Sequence, residues 1–418
     1  MFEHRARMIA GPFVGNAAMS NAARKTVLFV GLLASLGACT QRDAASSASS
    51  VEPAAPGTDA AASVDASAVQ ALPSGTTVAP VYRTFRDVVV ACDNIRRCAA
   101  IGVNDDSASG LALSLTREAG ADGAQMLLLR APWAELDAST LRLDDVAAPA
   151  IAGLPWQRDA GESAALRIED PVAIARFIDL VRDGTRLGDD QDRSVSLSGL
   201  NAALLYIDDH QQRLDTPGAW ARRGERDAAA VPAAPALPVL ARPASAPPAL
   251  SDADATRLKR SVRASQAAAL RAQECNEAGG EFDVSRQDNA YPLDADHALV
   301  FVACYSGAYQ GSSLAFRAAR DGSDVTRLTL PAPEFSDDSV NPGEDFDLLV
   351  SPDFDPASGT LAQYAKGRGI GDCGYQAIWQ FDGQAFQLSH YAEMQKCGGL
   401  TADDWPVLWR VAETASAP

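Results

Sequence analysis

Seven cysteines are the feature that most restricts how this chain of 418 residues can fold. Cys39 ends an apolar leader, and the other six are spread through the rest of the chain: Cys92, Cys98, Cys275, Cys304, Cys373 and Cys397. In a chain that leaves the cytoplasm, an even cysteine set predicts a disulfide framework. Six cysteines can pair in many ways, and the sequence does not choose among them. Nearness along the chain suggests three pairs: Cys92 with Cys98, Cys275 with Cys304, and Cys373 with Cys397.

The leader indicates export. Arg24-Lys25 precedes an apolar run, 26–36, which is followed by Gly37-Ala38-Cys39. A basic start, a short apolar core and small residues before the next segment are typical of an export signal. Leu36-Gly37-Ala38-Cys39 also resembles the motif of bacterial lipoprotein signals. That resemblance implies that residues 1–38 are a signal peptide, that Met19 rather than Met1 is the start, and that Cys39 carries the lipid.

Thr40 follows the lipidation site, a position that in lipoproteins bears on sorting. Threonine there is of the kind associated with the outer membrane, whereas aspartate would suggest retention at the inner membrane. We therefore predict a lipoprotein of the cell envelope, with its acyl chains (palmitate among them) in the outer membrane and the folded part facing the periplasm. The lipid anchor makes the membrane its first predicted partner.

Composition divides the rest of the chain into four segments. Residues 39–80 consist mainly of Ala, Ser, Pro and Gly and are too poor in large apolar side chains to order themselves, so they predict a disordered tether. Residues 81–225 predict an N-terminal domain of mixed class. Residues 226–250 are a Pro- and Ala-rich linker. Residues 251–412 predict a β-rich C-terminal domain that begins with a helix.

Hydrophobic patterning predicts an α+β fold, with a mixed N-terminal domain, a β-rich antiparallel C-terminal domain and disulfide stabilisation. Val88–Ala91 is a continuous apolar run of strand type, and Asp170-Pro171 has the cap and first-turn residues of a helix. Asp382-Gly383 separates two apolar runs and predicts a hairpin. Short strands at nearly regular spacing predict an antiparallel meander or sandwich in the second half.

Several motifs carry a family resemblance. Phe85–Ala100, FRDVVVACDNIRRCAA, resembles the opening motif of a bacterial family known only as domain of unknown function 1176. Similar later motifs are Cys275, Cys304-Tyr305 with Ala308-Tyr309, Lys366–Gly369 with Gly371–Gly374, and Cys397–Gly399 with Trp405-Pro406 and Trp409-Arg410. The likeness covers residues 82–411. It implies an exported protein with paired cysteines and does not imply an activity.

Charge and motif content argue against several function classes. The formal net charge of −18 makes nucleic acid an unexpected partner, because phosphate binding needs clustered basic residues. Cys373, with His390 as a base, could imitate a nucleophilic thiol, but the even cysteine set predicts that Cys373 is oxidised. No Gly-x-Ser-x-Gly elbow, EF-hand loop or zinc-type spacing occurs. We predict no catalytic residue, no metal site and no cofactor.

The glycine-rich stretch that contains Cys373 is the predicted binding surface. Lys366 and Arg368 lie among its glycines, next to Asp372, and a cation on flexible backbone can hold an anionic group. The alternative is a structural role, in which the glycines allow close packing around a disulfide. Trp379 and Trp405 could line a groove for sugar or peptide, or they could form the core of a small β domain.

These features favour a non-enzymatic binding or structural module of the envelope, whose partner is another envelope protein or a glycan. Two alternatives stay open on the sequence. One is an inhibitor or adaptor of a cell-wall hydrolase. The other is a hydrolase of polysaccharide or peptide, which would need a pair of carboxylates in a deep pocket, one with a raised pKa.

Overall fold

The structure is a computed structural model that describes residues 77–412, except for 105–108, 133, 160–164, 244, 277–282 and 337–345. The predicted signal peptide, Cys39 and nearly all of the predicted tether lie outside the described residues. Within the described part, no helix has both the length and the apolar composition that crossing a membrane requires.

The first half contains strands β1 to β11 and helices α1 to α3. In chain order they are β1 Val81–Phe85, β2 Val88–Cys92, β3 Cys98–Gly102, β4 Ala112–Arg117, β5 Gln125–Arg130, β6 Arg142–Leu143, β7 Val146–Ala147, α1 Pro149–Ala152, β8 Gln157–Asp159, β9 Ala165–Ile168, α2 Pro171–Val181, β10 Arg186–Gly188, β11 Ser194–Ser196 and α3 Leu200–His210.

Most of these strands form one antiparallel sheet, ordered β1-β2-β3-β4-β5-β9-β8 in the described residues. Its central strands are buried on both faces. Val88 and Val90 face one hydrophobic cluster, while Val89 and Ala91 between them face another. This explains why β2 is a continuous apolar run rather than an alternating one. The strands β11, β10, β6 and β7 form a second, smaller sheet in that order.

The second half contains helices α4 and α5 and strands β12 to β21. In chain order they are α4 Asp252–Ser265, α5 Ala267–Ala272, β12 Asn289–Pro292, β13 His297–Ser306, β14 Gly311–Ala319, β15 Thr326–Arg327, β16 Leu349–Val350, β17 Asp353–Asp355, β18 Thr360–Lys366, β19 Gly374–Phe381, β20 Phe386–Met394 and β21 Val407–Arg410.

Two antiparallel sheets are built from these strands. The order in one is β12-β13-β14-β15, with β16 also paired to β14, and the other is the meander β17-β18-β19-β20-β21. Asp382-Gly383 forms the turn between β19 and β20, as predicted: Gly383 has a φ of +103° and the Asp382 carboxylate accepts the N–H groups of Gln384 and Ala385.

Helices α2 and α4 begin at residues whose side chains cap the first turn. The Asp170 carboxylate accepts the N–H of Val172 at the start of α2, and the Ser251 hydroxyl accepts the N–H of Asp254 at the start of α4. Pro171 occupies the first turn of α2, where its missing N–H costs nothing.

The described residues form layers around three hydrophobic clusters. Helices α2 and α3 cover one face of the large sheet, with Phe177 and Leu204 in the first cluster. The opposite face of that sheet shares the second cluster with the sheets of the second half, including Trp379. Helix α4 covers the far face of β13 and β14 through Leu258 and Val262. The core therefore runs through both halves.

Three disulfides brace these layers: Cys92–Cys98, Cys275–Cys304 and Cys373–Cys397. The β-rich, disulfide-stabilised character predicted from the sequence is confirmed. The division at residues 226–250 stays a prediction. In that segment Val231 and Leu240 are buried, and the Pro238 carbonyl accepts the N–H of Ala412 at 2.8 Å.

Candidate interaction surface

The predicted binding loop connects β18 to β19. It runs from Gly367 to Cys373, is exposed over Gly367–Ile370, and is buried from Gly371 onward. Gly374, the first residue of β19, has a φ of +134°, and a Cβ there would lie 1.9 Å from the carbonyl oxygen of Ala365. Only glycine permits the two strands to approach this closely as the chain turns.

Asp372 anchors the loop through hydrogen bonds of its buried carboxylate. Its carboxylate is buried and accepts hydrogen bonds from Arg368 Nε at 2.7 Å and from the Gly399 N–H at 2.8 Å. Burial would raise the pKa of Asp372, but the bonds from Arg368 and Gly399 outweigh it and leave that pKa below its ordinary value. The neighbouring Cys373–Cys397 disulfide ties the same segments covalently. The loop is therefore anchored at its base.

A second turn, between β13 and β14, packs against this loop. The Gln310 side-chain oxygen accepts the N–H of Lys366 at 2.8 Å, and its amide nitrogen donates to the Tyr364 carbonyl. A Cβ on Gly369 would lie 3.0 Å from Cε2 of Tyr309, so the absence of a side chain at Gly369 gives room for the Tyr309 ring. The motif that contains Tyr309 and the motif that contains Gly369 are thus in contact, although they lie far apart in the sequence.

Each of the two turns exposes a large apolar side chain. Tyr309 is 75% exposed and Ile370 is 56% exposed. Arg368 precedes Ile370 in the loop, and the Lys366 ammonium lies 5.7 Å from the centre of the Tyr364 ring. We call Tyr309, Lys366, Arg368, Gly369 and Ile370 the loop surface.

The residues predicted to bind do not all lie on this surface. Lys366 and Arg368 do. Asp372, Trp379 and Trp405 are buried, and each uses its polar atoms internally: the Trp379 indole N–H donates to the Pro331 carbonyl at 2.7 Å, and that of Trp405 donates to Leu400. The tryptophans therefore have the environment of core residues. Whether Lys366 and Arg368 bind a partner stays a prediction.

Sequence reasoning did not select Tyr309 and Ile370. The available signal for Ile370 was a branched apolar residue among glycines and charges, where no strand pattern could bury it. Tyr309 stood in a quoted motif next to Ala308, but its contact with a loop sixty residues away is a product of tertiary folding. Propensity and periodicity carry no information on such a contact.

Two buried carboxylates in the described residues have raised pKa values, the signature sought for a hydrolase. Burial raises the pKa of Asp93 to about 6 against the opposing effect of Arg410, and burial also raises the pKa of Asp208. Both side chains serve the fold. Asp93 accepts the N–H groups of Ile95 and Arg97, and Asp208 accepts those of Trp220 and Ala221.

Metal-type clusters in the described residues involve disulfide sulfur. One contains Cys92, Cys98 and His210, and the other contains Asp372, Cys373 and Cys397. In each cluster the two sulfur atoms are bonded to each other. Since a metal takes the thiolate as its ligand, neither cluster offers a complete site.

Comparison with known proteins agrees with the motif resemblance. Residues 82–412 match the model of a family described as "Protein of unknown function (DUF1176)". The chain belongs to this family. It is 33% identical over 347 residues to the "Uncharacterized protein YpfG" of Escherichia coli (strain K12), an alignment that covers 79% of this chain and 93% of that protein. No solved structure matches. Membership in this family of unknown function is confirmed and assigns no activity.

Proposed function

We propose that this family member is a lipid-anchored envelope protein that works by binding another envelope protein through the loop surface. The observation that carries the proposal is the exposure of Tyr309 and Ile370 on two turns that approach each other at Gly369. Apolar side chains in this arrangement cost free energy in water, and such a patch marks an interaction site when its scaffold is fixed.

The anchoring of the loop favours binding. Asp372, the Cys373–Cys397 disulfide and the Gln310 bridge hold the loop before any partner arrives. A preorganised surface loses little conformational entropy when it binds, so more of the contact energy contributes to affinity. Tyrosine also gives a large contact area with few rotatable bonds.

The chemistry of the loop surface specifies the complementary partner. Tyr309 and Ile370 project from the protein, so the partner should offer an apolar hollow. Lys366 and Arg368 flank them, and the Arg368 charge is already paired with Asp372, which leaves the Lys366 ammonium as the main charge available at the rim. We infer a protein whose hollow has carboxylates at its edge.

The location is part of the same proposal. The leader motif ending at Cys39 supports export and lipidation, and three disulfides are compatible with an oxidising compartment. Thr40 favours the outer membrane. An anchored protein facing the periplasm would meet its partner at a high effective concentration along the membrane.

In-cell crosslinking tests the proposal. A photoreactive residue placed at Ala308, beside the loop surface, should capture a specific protein in intact cells. The double substitution Tyr309→Ser with Ile370→Ser should abolish capture, because it removes the apolar contact. Lys366→Glu should weaken capture by roughly tenfold through charge reversal.

A matched control comes from two other exposed apolar residues. Val146 is 70% exposed and Val172 is 76% exposed, and neither belongs to the loop surface. Val146→Ser with Val172→Ser should leave capture unchanged. Equal capture by both double variants, at equal protein levels, would refute the loop surface as the contact. Identification of the captured protein would also show whether a cell-wall hydrolase is the partner.

A further inference from the structure

A cleft lies at the end of β19 opposite to the loop surface. It has a volume of about 400 Å³ and opens between the segment 328–332 and the turn that joins β19 to β20. Leu293, Leu330, Phe381 and Phe386 lie at its buried base and belong to the second hydrophobic cluster. The half-buried Leu328, Pro331 and Ala385 present apolar surface to the cleft. The Trp379 indole N–H holds the segment 328–332 in place by donating a hydrogen bond to the Pro331 carbonyl. Clefts of this size and lining hold small ligands in other proteins.

Two arginines line the cleft, together with the polar residues Thr326, Thr329 and Gln384. Arg317 comes from β14 and Arg327 from β15, the edge strand of its sheet. Arg327 has an acidic neighbour: its Nη2 lies 3.4 Å from Asp347 Oδ2 and donates to the Asp347 carbonyl at 3.2 Å. The Nε atoms of both arginines are buried and have no hydrogen-bond partner in the described residues.

Arg317 is the less satisfied of the two. Its Nη2 lies 3.0 Å from His297 Nδ1, but that ring nitrogen also lies 2.9 Å from Asp294 Oδ1. A nitrogen that donates its proton to Asp294 has no lone pair left to accept from Arg317. No carboxylate in the described residues pairs with Arg317, and among those residues its buried Nε donor has no acceptor.

We propose that this cleft binds a single-chain amphiphile with an anionic head, the head on Arg317 and Arg327 and the chain against Leu328, Pro331 and Ala385. A planar guanidinium can hold a carboxylate or a phosphate through paired N–H groups, and the two arginines present more positive charge than Asp347 neutralises. The apolar walls exclude a fully polar anion as the best ligand, since they would then be left covered by water.

This site is independent of the proposed binding function. The cleft is lined by Gln384 and Ala385 of the turn that follows β19, whereas the loop that carries Arg368 and Ile370 precedes β19. Either site can be removed by substitution without touching a residue of the other, so the two proposals can fail separately.

Calorimetric titration of residues 39–418 carrying Cys39→Ser, which lacks both the apolar leader and the lipidation site and so needs no detergent, tests the cleft. Dodecanoate and dodecyl phosphate are the probes, and dodecanol and acetate are the comparisons that lack the head charge or the chain. We expect at least one anionic probe to bind with one molecule per chain, and both comparisons to bind roughly ten- to a hundredfold more weakly. Whichever of the two anionic probes binds more tightly shows whether the site prefers a carboxylate or a phosphate head group.

Two variants separate the charge from the apolar wall. Arg317→Gln should weaken the anionic probe by roughly tenfold or more while leaving thermal stability unchanged or higher, because an unsatisfied cation is removed. Ala385→Phe should block the cleft and weaken binding without changing charge. The proposal is overturned if the native chain binds neither anion, if dodecanol binds as tightly as dodecanoate, or if Arg317→Gln binds unchanged.

Discussion

Asp93 shows how a single buried charge can serve the whole architecture. It lies in the loop closed by the Cys92–Cys98 disulfide and is fully buried. One carboxylate oxygen accepts two N–H groups of its own loop, and the other lies 2.8 Å from Arg410 Nε, within ion-pair distance although outside hydrogen-bond geometry. The motif between the two cysteines thus reaches the last strand of the chain.

This environment predicts a pH dependence of stability. The pKa of Asp93 is raised from 3.8 to about 6, so the folded state binds more protons than the unfolded state between these values. Stability from this group is therefore greatest below about pH 4 and falls by up to about 3 kcal/mol as the pH rises through 6. Urea unfolding of Asp93→Asn should show a flatter pH profile over this window. The exposed Asp209→Asn should keep the native profile, and a native profile in Asp93→Asn would contradict the assignment.

Gly374 and Gly383 form a natural comparison between two glycines with positive φ. A Cβ at Gly374 would strike the Ala365 carbonyl, whereas a Cβ at Gly383 would meet nothing within 4 Å. Gly383→Ala should cost only backbone strain, about 1 kcal/mol, while Gly374→Ala should cost about 3 kcal/mol or more. Denaturant unfolding of the two variants measures the difference. Equal losses would mean that the turn, rather than the close strand contact, sets the requirement.

At the scale of elements, the sequence predicts what local pattern controls. The β19–β20 hairpin follows from Asp382-Gly383 between apolar runs, and α2 follows from Asp170-Pro171 before a helical pattern. The short strand β10, Arg186–Gly188, was not predicted, because three residues show no period and their pairing is with distant strands. The same holds for the loop surface. Its glycines predict a loop from the sequence, but the contact of Tyr309 with that loop depends on tertiary packing.

The Cys373–Cys397 bridge predicts a local effect on the loop surface. Replacing both cysteines with alanine should lower the free energy of unfolding by about 2 to 4 kcal/mol. It should also increase hydrogen exchange of residues 367–373 before any other described segment, because only hydrogen bonds, such as those of Asp372 to Gly399 and of Tyr364 to Gly371, then anchor the loop. Replacing Cys275 and Cys304 instead should leave exchange in this loop at the native rate. Uniform acceleration in both variants would show that the bridge acts only globally.

On the scale of the whole molecule, the decisive fact is that the large sheet is covered on both faces. Ile101 and Val89 face the cluster that contains Trp379 and Leu408 of the second half. Sequence patterning predicts apolar runs in both halves, but it does not predict which faces of the two halves share a cluster. Faces that complement each other across more than two hundred residues leave no mark in either local sequence.

Asn94 tests this coupling between the halves. It is fully buried, and it makes three bonds to β21: its N–H donates to the Leu408 carbonyl at 3.2 Å, its Nδ2 donates to the Arg410 carbonyl at 2.9 Å, and its Oδ1 accepts the Arg410 N–H at 3.0 Å. Asn94→Ala removes both side-chain bonds and leaves buried backbone groups unpaired, at a cost of about 2 kcal/mol or more.

Because the core is continuous, this loss should lower the urea midpoint of both halves together. Tryptophan fluorescence and far-ultraviolet circular dichroism should give coincident transitions in the native chain and in Asn94→Ala, at a lower midpoint in the variant. Asn201→Ala, which removes one exposed bond to the Arg182 carbonyl within the first half, should shift the midpoint little. Two separated transitions in the native chain would mean that the shared cluster does not couple the halves, and that the Pro-rich segment divides units that fold independently.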